Sequence, residues 1–195
     1  MKILGITGPT GAGKSRLSEY LSQKGFPVID ADEVYHALLI PPSACLDALR
    51  GAFGEAIFFA DGSLNRPALS DIVFHDSDKL ALLNKTVLGF VLDEIRAQLR
   101  VLETEGHALV AIDAPTLIES GFHHECDAVI SVLSDRELRI GRIMARDKIS
   151  KERAIARIDA QPSDDFYREH STHVLENSDS PTSFNENIEQ LLQTL

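Results

Sequence analysis

The chain has 195 residues, 44% of them hydrophobic and 25% charged, an ordinary balance for one soluble globular domain. Its formal net charge of −11 argues against a broad nucleic-acid or membrane surface, while leaving room for a small anion in a local basic cleft. No apolar run approaches a bilayer span, the first residues enter a strand without a signal peptide, and Cys45 and Cys126 form neither a disulfide framework nor a C-x-x-C pair, so a reducing cytoplasm is expected.

Lys2 to Thr7 reads as a short buried strand. Gly8-Pro9-Thr10-Gly11-Ala12-Gly13-Lys14-Ser15 follows and matches G-x-x-x-x-G-K-[ST], the phosphate-binding loop. Glycines let the backbone wrap closely around phosphate oxygens. The loop N–H groups and the next helix N-terminus would face the anion. Lys14 would reach the β- and γ-phosphates, and Ser15 would offer its hydroxyl to Mg²⁺. Leu17, Tyr20 and Leu21 at i, i+3, i+4 predict the required helix. Gly25 is its expected C-terminal cap.

Phe26 to Asp30 reads as a second strand, with Asp30 and Asp32 at its C-terminal end. Ligands bind at that edge of an open parallel sheet, and this strand is expected beside the phosphate loop. A phosphoryl acceptor hydroxyl needs a carboxylate to orient it and take its proton. Asp32 is preferred for that task over Asp30; the plainer alternative makes both acids turn and cap residues. Glu33 to Leu39 is expected to be helical, and Pro41-Pro42-Ser43 breaks it. Ser43 can cap a helix over Ala44 to Phe53.

Asp61-Gly62-Ser63 signals a turn, and Pro67 fits the first turn of a helix. A long helical stretch runs from about Ser77 to Glu105, with Leu80, Leu83, Val87, Val91 and Ile95 as its apolar stripe. Gly89 could divide it in two. With little strand signal, 41–105 reads as a helical lobe inserted into an α/β core.

His107 to Asp113 and Ala128 to Leu133 are the next strands. Asp113 ends its strand as the Mg²⁺-associated acid of phosphate-loop proteins does; a helix-capping role is the alternative. Asp135 and Ser150 are expected to cap the two helices that follow. His173 to Asn177 and Thr182 to Leu195 supply a last strand and helix. Five strands alternating with helices imply a parallel sheet covered on both faces.

Between 136 and 157, eight basic residues face three acids. Arg139, Arg142 and Arg146 share one helical face by spacing. One reading is a solvated face. The other is a lid whose guanidinium groups close over a triphosphate and exclude water. His123-His124-Glu125-Cys126 has poor spacing for one metal ion and is read as a surface turn. His75, His107, His170 and His173 show no identifiable partners and are read as structural or solvated.

Taken together, the chain resembles the dephospho-CoA kinase family. The resemblance rests on Gly5-Ile6-Thr7-Gly8, Ile29-Asp30-Ala31-Asp32 with His36, Leu64-Asn65-Arg66, Asp113-Ala114-Pro115, Glu119-Ser120-Gly121, Arg142, Arg146-Asp147, Arg157-Ile158, Gln161 and Asn177. It implies a phosphate-loop kinase fold of the nucleoside-monophosphate kinase type. The core would be 1–40, 106–134 and 171–195, the acceptor-binding lobe 41–105 and the lid 135–170. It implies transfer of the ATP γ-phosphoryl group to the ribose 3′-hydroxyl of dephospho-CoA. Asp32 would be the acceptor-side base, and Lys14, Arg142 and Arg146 would stabilise phosphoryl charge. Gly8, Gly11, Ala12, Gly13, Lys14, Ser15, Arg16, Arg142 and Arg157 would bind the nucleotide. His36 and Arg66 would lie toward the acceptor, and Ser15 and Asp113 would serve Mg²⁺. A monomer or weak homo-oligomer is expected, with no nucleic-acid or membrane partner. Leu88-Gly89 stands where the family often has His-Pro, which keeps a kinase for another small metabolite as the alternative. A nucleotide-dependent switch is a weaker one, because Asn84-Lys85 lacks the following acid of a guanine-selective site.

Overall fold

The computed structural model describes residues 1–74, 76–178 and 181–194. His75 therefore lies outside the described residues, as does Leu195. The strands are β1 (Lys2–Thr7), β2 (Val28–Asp30), β3 (Leu109–Asp113), β4 (Ala128–Leu133) and β5 (His173–Glu176). The helices are α1 (Lys14–Gln23), α2 (Ala31–Leu38), α3 (Ala44–Phe53), α4 (Arg66–Phe74), α5 (Ser77–Thr104), α6 (Arg136–Asp147), α7 (Lys151–Asp159), α8 (Asp164–Glu169) and α9 (Pro181–Leu192). The chain divides into two compact units, one of Met1–Ile29 with Leu102–Leu195 and one of Asp30–Val101.

The first unit is built on a parallel five-stranded sheet of order β2-β3-β1-β4-β5. Ile6 stands opposite Asp113 on β3 and Ile130 on β4. The central strands read as unbroken apolar runs because both faces are covered. β4 is buried at every position. Leu17 and Leu21 of α1 and Phe184 and Ile188 of α9 pack with Leu4, Ile6, Ile130, Val132 and Leu175 of the sheet. Each such side chain stabilises by about 1.5–3 kcal/mol on leaving water. Gly25 and Phe26 N–H groups donate to Ser22 and Leu21 carbonyls and so close α1. Ile140 and Ile143 of α6 form a small separate core with Ala154 and Ile158 of α7.

Sheet order corrects one expectation. β3, not β2, neighbours β1. The acid that ends the strand beside the loop-bearing strand is therefore Asp113. Asp30 ends a strand one place further out. Two capping expectations divide. Ser150 accepts from Arg153 N–H and caps α7. Asp135 occupies the corresponding place on α6 without a side-chain capping bond. The short helix α8 was not legible from periodicity.

The second unit carries its own apolar core. Leu39, Cys45, Leu46, Leu49, Ile57, Leu64, Leu69, Val73 and Val87 pack together there. Ser43 caps α3 through Cys45 N–H. The Leu64-Asn65-Arg66 motif has a local explanation: Leu64 is buried, and the Asn65 side chain accepts from Ala68 N–H at the start of α4. Gly89 does not divide α5, which runs unbroken from Ser77 to Thr104. One glycine costs a helix only about 1 kcal/mol against alanine, and 28 residues absorb that. Leu80 leaves the expected stripe, being 45% exposed.

Candidate active site

The phosphate loop links β1 to α1. Gly13 sits at the N-cap with φ 103°, and no side chain caps the first turn. The helix therefore meets the loop with its N–H end uncapped by side chains, the arrangement that attracts anions. At Gly8 a Cβ would lie 2.2 Å from the Val132 carbonyl oxygen. Only glycine allows the loop to pass so close to β4.

The loop carbonyls are held one after another by side chains. Lys14 Nζ donates to Gly8 O at 2.7 Å and to Pro9 O at 3.4 Å. Arg139 Nε donates to Thr10 O at 3.0 Å. Arg142 Nη1 donates to Gly11 O and Ala12 O, each at 3.2 Å. Asn177 Nδ2 donates to Ala12 O at 2.7 Å. Thr10 N–H in turn donates to Gln161 Oε1 at 2.7 Å. A trans peptide points its N–H opposite its C=O. With the Thr10 and Ala12 carbonyls drawn toward α6 and Asn177, the Gly11 and Gly13 N–H groups face the other way.

The sequence-predicted site residues have distinct places. Ser15 is exposed on the first turn of α1, whereas Ser18, one turn on, donates to Asp113 Oδ2 at 2.6 Å. Asp113 is nearly buried and is joined to α1 through Ser18, which sequence reasoning missed. Asp113 caps no helix, since turn residues follow β3. Arg16 lies against α9, donating to Asn185 Oδ1 at 3.2 Å with its guanidinium 5.6 Å from the centre of the Phe184 ring.

The arginine-rich segment does not present one uniform face. Arg139 is 4% exposed and paired with Asp164 at 3.1 Å. Burial pulls its guanidinium below the usual arginine value, with Asp164 opposing. Arg142 also donates to Ser134 Oγ and Asn177 O, so its contacts are with the loop and its surroundings. Arg146 is exposed and holds Asp147 with two hydrogen bonds, at 2.7 and 3.1 Å. Arg157 pairs with the same carboxylate from α7. The Arg146 hydrogen bonds lead in holding the Asp147 carboxyl below the usual range, and both arginine charges add to the effect. Asp147 thus clasps α6 to α7.

In the second unit, Asp30 Oδ1 accepts from the Asp32 and Glu33 N–H groups at 2.8 and 3.1 Å. Asp30 is the cap of α2. Asp32 is exposed in its first turn, so the helix starts two residues earlier than periodicity suggested. His36 is exposed near the end of the same helix, its ring 5.6 Å from that of Tyr35. Burial raises the Tyr35 hydroxyl and the Arg66 charge opposes that rise, which places Arg66 near α2.

The histidines are better connected than expected. His107 meets Glu105 at 3.4 Å, His170 meets the Phe166 carbonyl at 2.8 Å and His173 meets Thr172 Oγ1 at 2.8 Å. Residues 122–125 form a 3-10 turn. Among the described residues, no group of three or more His, Cys, Asp or Glu could hold a metal ion. Cys126 is a free thiol that burial pushes up to about 12, so it is not poised as a nucleophile.

The His123 ring lies 3.9 Å from that of His124, tilted by 37°, and its buried Nδ1 has no hydrogen-bond partner among the described residues. Burial and then the neighbouring His124 lower its pKa from the ordinary 6.5. The unfolded chain therefore takes this proton more readily than the folded one. The stability contributed by neutral His123 is full above 6.5 and is lost as pH falls through the depressed value. The melting temperature is expected to fall as pH drops below 6.5, and to fall less in His123→Phe. An equal fall in both proteins would remove His123 as the cause.

Comparison with known proteins gives a consistent result. A protein-family model described as dephospho-CoA kinase matches residues 2–182. A dephospho-CoA kinase of Symbiobacterium thermophilum is 37% identical over 180 residues, 92% of this chain and 75% of that protein. One from Lactobacillus johnsonii is 33% identical over 192 residues, 98% of this chain and 97% of the relative. A solved dephospho-CoA kinase from Campylobacter jejuni superposes with a TM-score of 0.73 at 26% identity, covering 99% of this chain and 96% of that one.

Proposed function

This chain belongs to the dephospho-CoA kinase family, which phosphorylates dephospho-CoA to coenzyme A with ATP, and from that premise we propose how its own residues divide the work. The carrying observation is that the family match over residues 2–182 spans the loop, Asp32, Arg66 and every arginine of the lid segment.

The donor side is the phosphate loop. ATP would place its phosphates against the Gly11 and Gly13 N–H groups and the start of α1, with Gly8 and Ala12 in the loop wall and Arg16 beyond it. Lys14 would leave the Gly8 and Pro9 carbonyls for the phosphoryl oxygens. Ser15 and Asp113 would serve Mg²⁺. They are oxygen donors suited to a hard cation that arrives with the triphosphate and keeps several waters. When bound, that ion neutralises charge on the phosphates. Arg146 and Arg157 are proposed to exchange Asp147 for the nucleotide, as the closing side chains of the lid segment 135–170. Arg142 would steady the phosphoryl charge from its place on the loop.

The acceptor side is proposed to be the helical lobe of about 41–105, with His36 and Arg66 toward dephospho-CoA. Asp32 would accept the ribose 3′-hydroxyl proton as that oxygen bonds to the γ-phosphorus. The bond from the γ-phosphorus to the bridging oxygen breaks, and ADP leaves. What supports Asp32 over Asp30 is exposure: Asp30 is engaged in capping α2. The enzyme is proposed to act in the cytoplasm as a monomer or weak homo-oligomer. No helix among the described residues is long and apolar enough to cross a membrane.

The test is an acceptor panel with ATP and Mg²⁺: dephospho-CoA, adenosine, other nucleosides and small phosphorylated metabolites. Dephospho-CoA is expected to give the highest kcat/KM, with phosphate on the 3′ position of the product. Equal turnover across the panel, or preference for another acceptor, would overturn the reading.

A further inference from the structure

We infer that Arg139 is a positioning residue for the phosphoryl donor, fixing with Gln161 the direction in which the loop presents its N–H groups. The inference deepens the proposed function, resting on its reading of Gly8 to Ser15 as the nucleotide site.

Four observations carry it. Arg139 is nearly buried, and its acidic partner Asp164 is itself half-exposed at 45%. Burying a guanidinium is unfavourable unless its N–H groups are well placed. Holding α6 against the loop by apolar packing would avoid that desolvation, so packing alone does not explain an arginine here. Second, its Nε is aimed at the Thr10 carbonyl, 129 residues away in sequence. Third, Gln161 takes the N–H of the same residue. Thr10 is therefore fixed at both its backbone groups, by α6 on one side and the segment just after α7 on the other. Fourth, a Cβ on Gly11 would lie 2.9 Å from the Arg139 carbonyl oxygen. The α6 backbone itself abuts the loop at this place.

The consequence follows from peptide geometry. The plane joining Thr10 to Gly11 is pinned by Arg139 at its oxygen, so the Gly11 N–H points away from α6. A loop already oriented this way loses less entropy when the anion binds. Asp164 fixes the Arg139 fork from α8. A chain of contacts thus runs from α8 through Arg139 to the loop. Arg139 acts on the loop through Thr10 and not on the phosphate itself.

The experiment measures binding rather than transfer. Affinities for ADP and for inorganic tripolyphosphate are determined by calorimetry on wild type, Arg139→Leu, Arg139→Lys, Asp164→Ala and Gln161→Leu, each checked by circular dichroism. Arg139→Leu is expected to weaken both probes by about tenfold, the scale of one charge-assisted hydrogen bond. Arg139→Lys, which keeps a donor within reach of Thr10, should recover part of the loss. Asp164→Ala separates position from charge. It removes a negative charge near the loop, so a purely electrostatic role predicts tighter binding; loosening of Arg139 predicts weaker binding. Should Arg139→Leu fail to fold, Gln161→Leu carries the same test, with weakening of threefold or more expected on the same scale. Tripolyphosphate affinity within about twofold of wild type in a folded Arg139→Leu or Gln161→Leu, or tighter binding in Asp164→Ala, would overturn the inference. Because no acceptor is present, failure of the acceptor panel leaves this result standing, and the reverse holds equally.

Discussion

Lys14→Ala is expected to lower kcat for phosphoryl transfer by about 10²–10³, the usual loss when one charge aimed at a transferring group is removed. Nζ now donates to Gly8 O at 2.7 Å and to Pro9 O at 3.4 Å, so the ammonium sits inside the curve of the loop. An anion entering there would outbid two neutral carbonyls for it, because a hydrogen bond between charged partners is about twice as strong. The ammonium would then follow charge onto the γ-phosphoryl oxygens, stabilising the transition state more than the ground state. Alanine removes the charge and both carbonyl bonds. The fold should survive. The sheet and α1 are held by Leu4, Ile6, Leu17 and Leu21, and the other loop carbonyls keep Arg139, Arg142 and Asn177. Steady-state kinetics with a thermal melt check both halves. A kcat near wild type refutes the assigned role, while a collapsed melt would mean that Lys14 holds the loop rather than the phosphate.

The loop was legible because its chemistry is local. Eight consecutive residues carry the whole motif, and Leu17, Tyr20 and Leu21 announce the helix that completes it. Strand ends were legible for the same reason, since an apolar run closing on Asp30 or Asp113 needs no knowledge of the sheet. What surrounds the loop was not. Ser18 meets Asp113 across 95 residues, Arg142 meets Gly11 across 131 and Gln161 meets Thr10 across 151. Such pairs depend on sheet order, and alternation of strands and helices does not say that β3 lies between β2 and β1. Periodicity places Arg139, Arg142 and Arg146 on one face but is blind to what that face meets. Arg139 is buried on the loop, while Arg146 turns to its own neighbour Asp147. Histidine partners were missed for a related reason, because His170 and His173 bond to neighbours whose donor and acceptor geometry only the fold fixes. Asp32 is the opposite case. The residue and its helix were legible and the helix start was not, since Asp30 caps α2 and Asp32 lies within its first turn instead of preceding the helix.

Asp32→Asn is expected to lower kcat by about 10²–10⁴, the range for a lost general base. ATP affinity should stay within about threefold, as for a group acting on the acceptor and not the donor. Asparagine conserves size and keeps an acceptor oxygen, but it cannot take the hydroxyl proton. The substitution also removes an acid from the first turn of α2, which costs about 0.3–1 kcal/mol of helix-dipole stabilisation at an exposed position. That is too little to unfold the lobe, whose core lies in Leu46, Leu49, Ile57 and Leu69. Asp30→Asn is the discriminating control. Asparagine caps a helix about as well as aspartate, so α2 should keep its start and kcat should change little. The decisive measurement is kcat beside KM for each substrate in both variants. If Asp30→Asn loses the rate and Asp32→Asn retains it, the base is the capping residue. If ATP affinity collapses in Asp32→Asn while the remaining kcat is normal, Asp32 belongs to the donor side and the proposed division of labour is wrong.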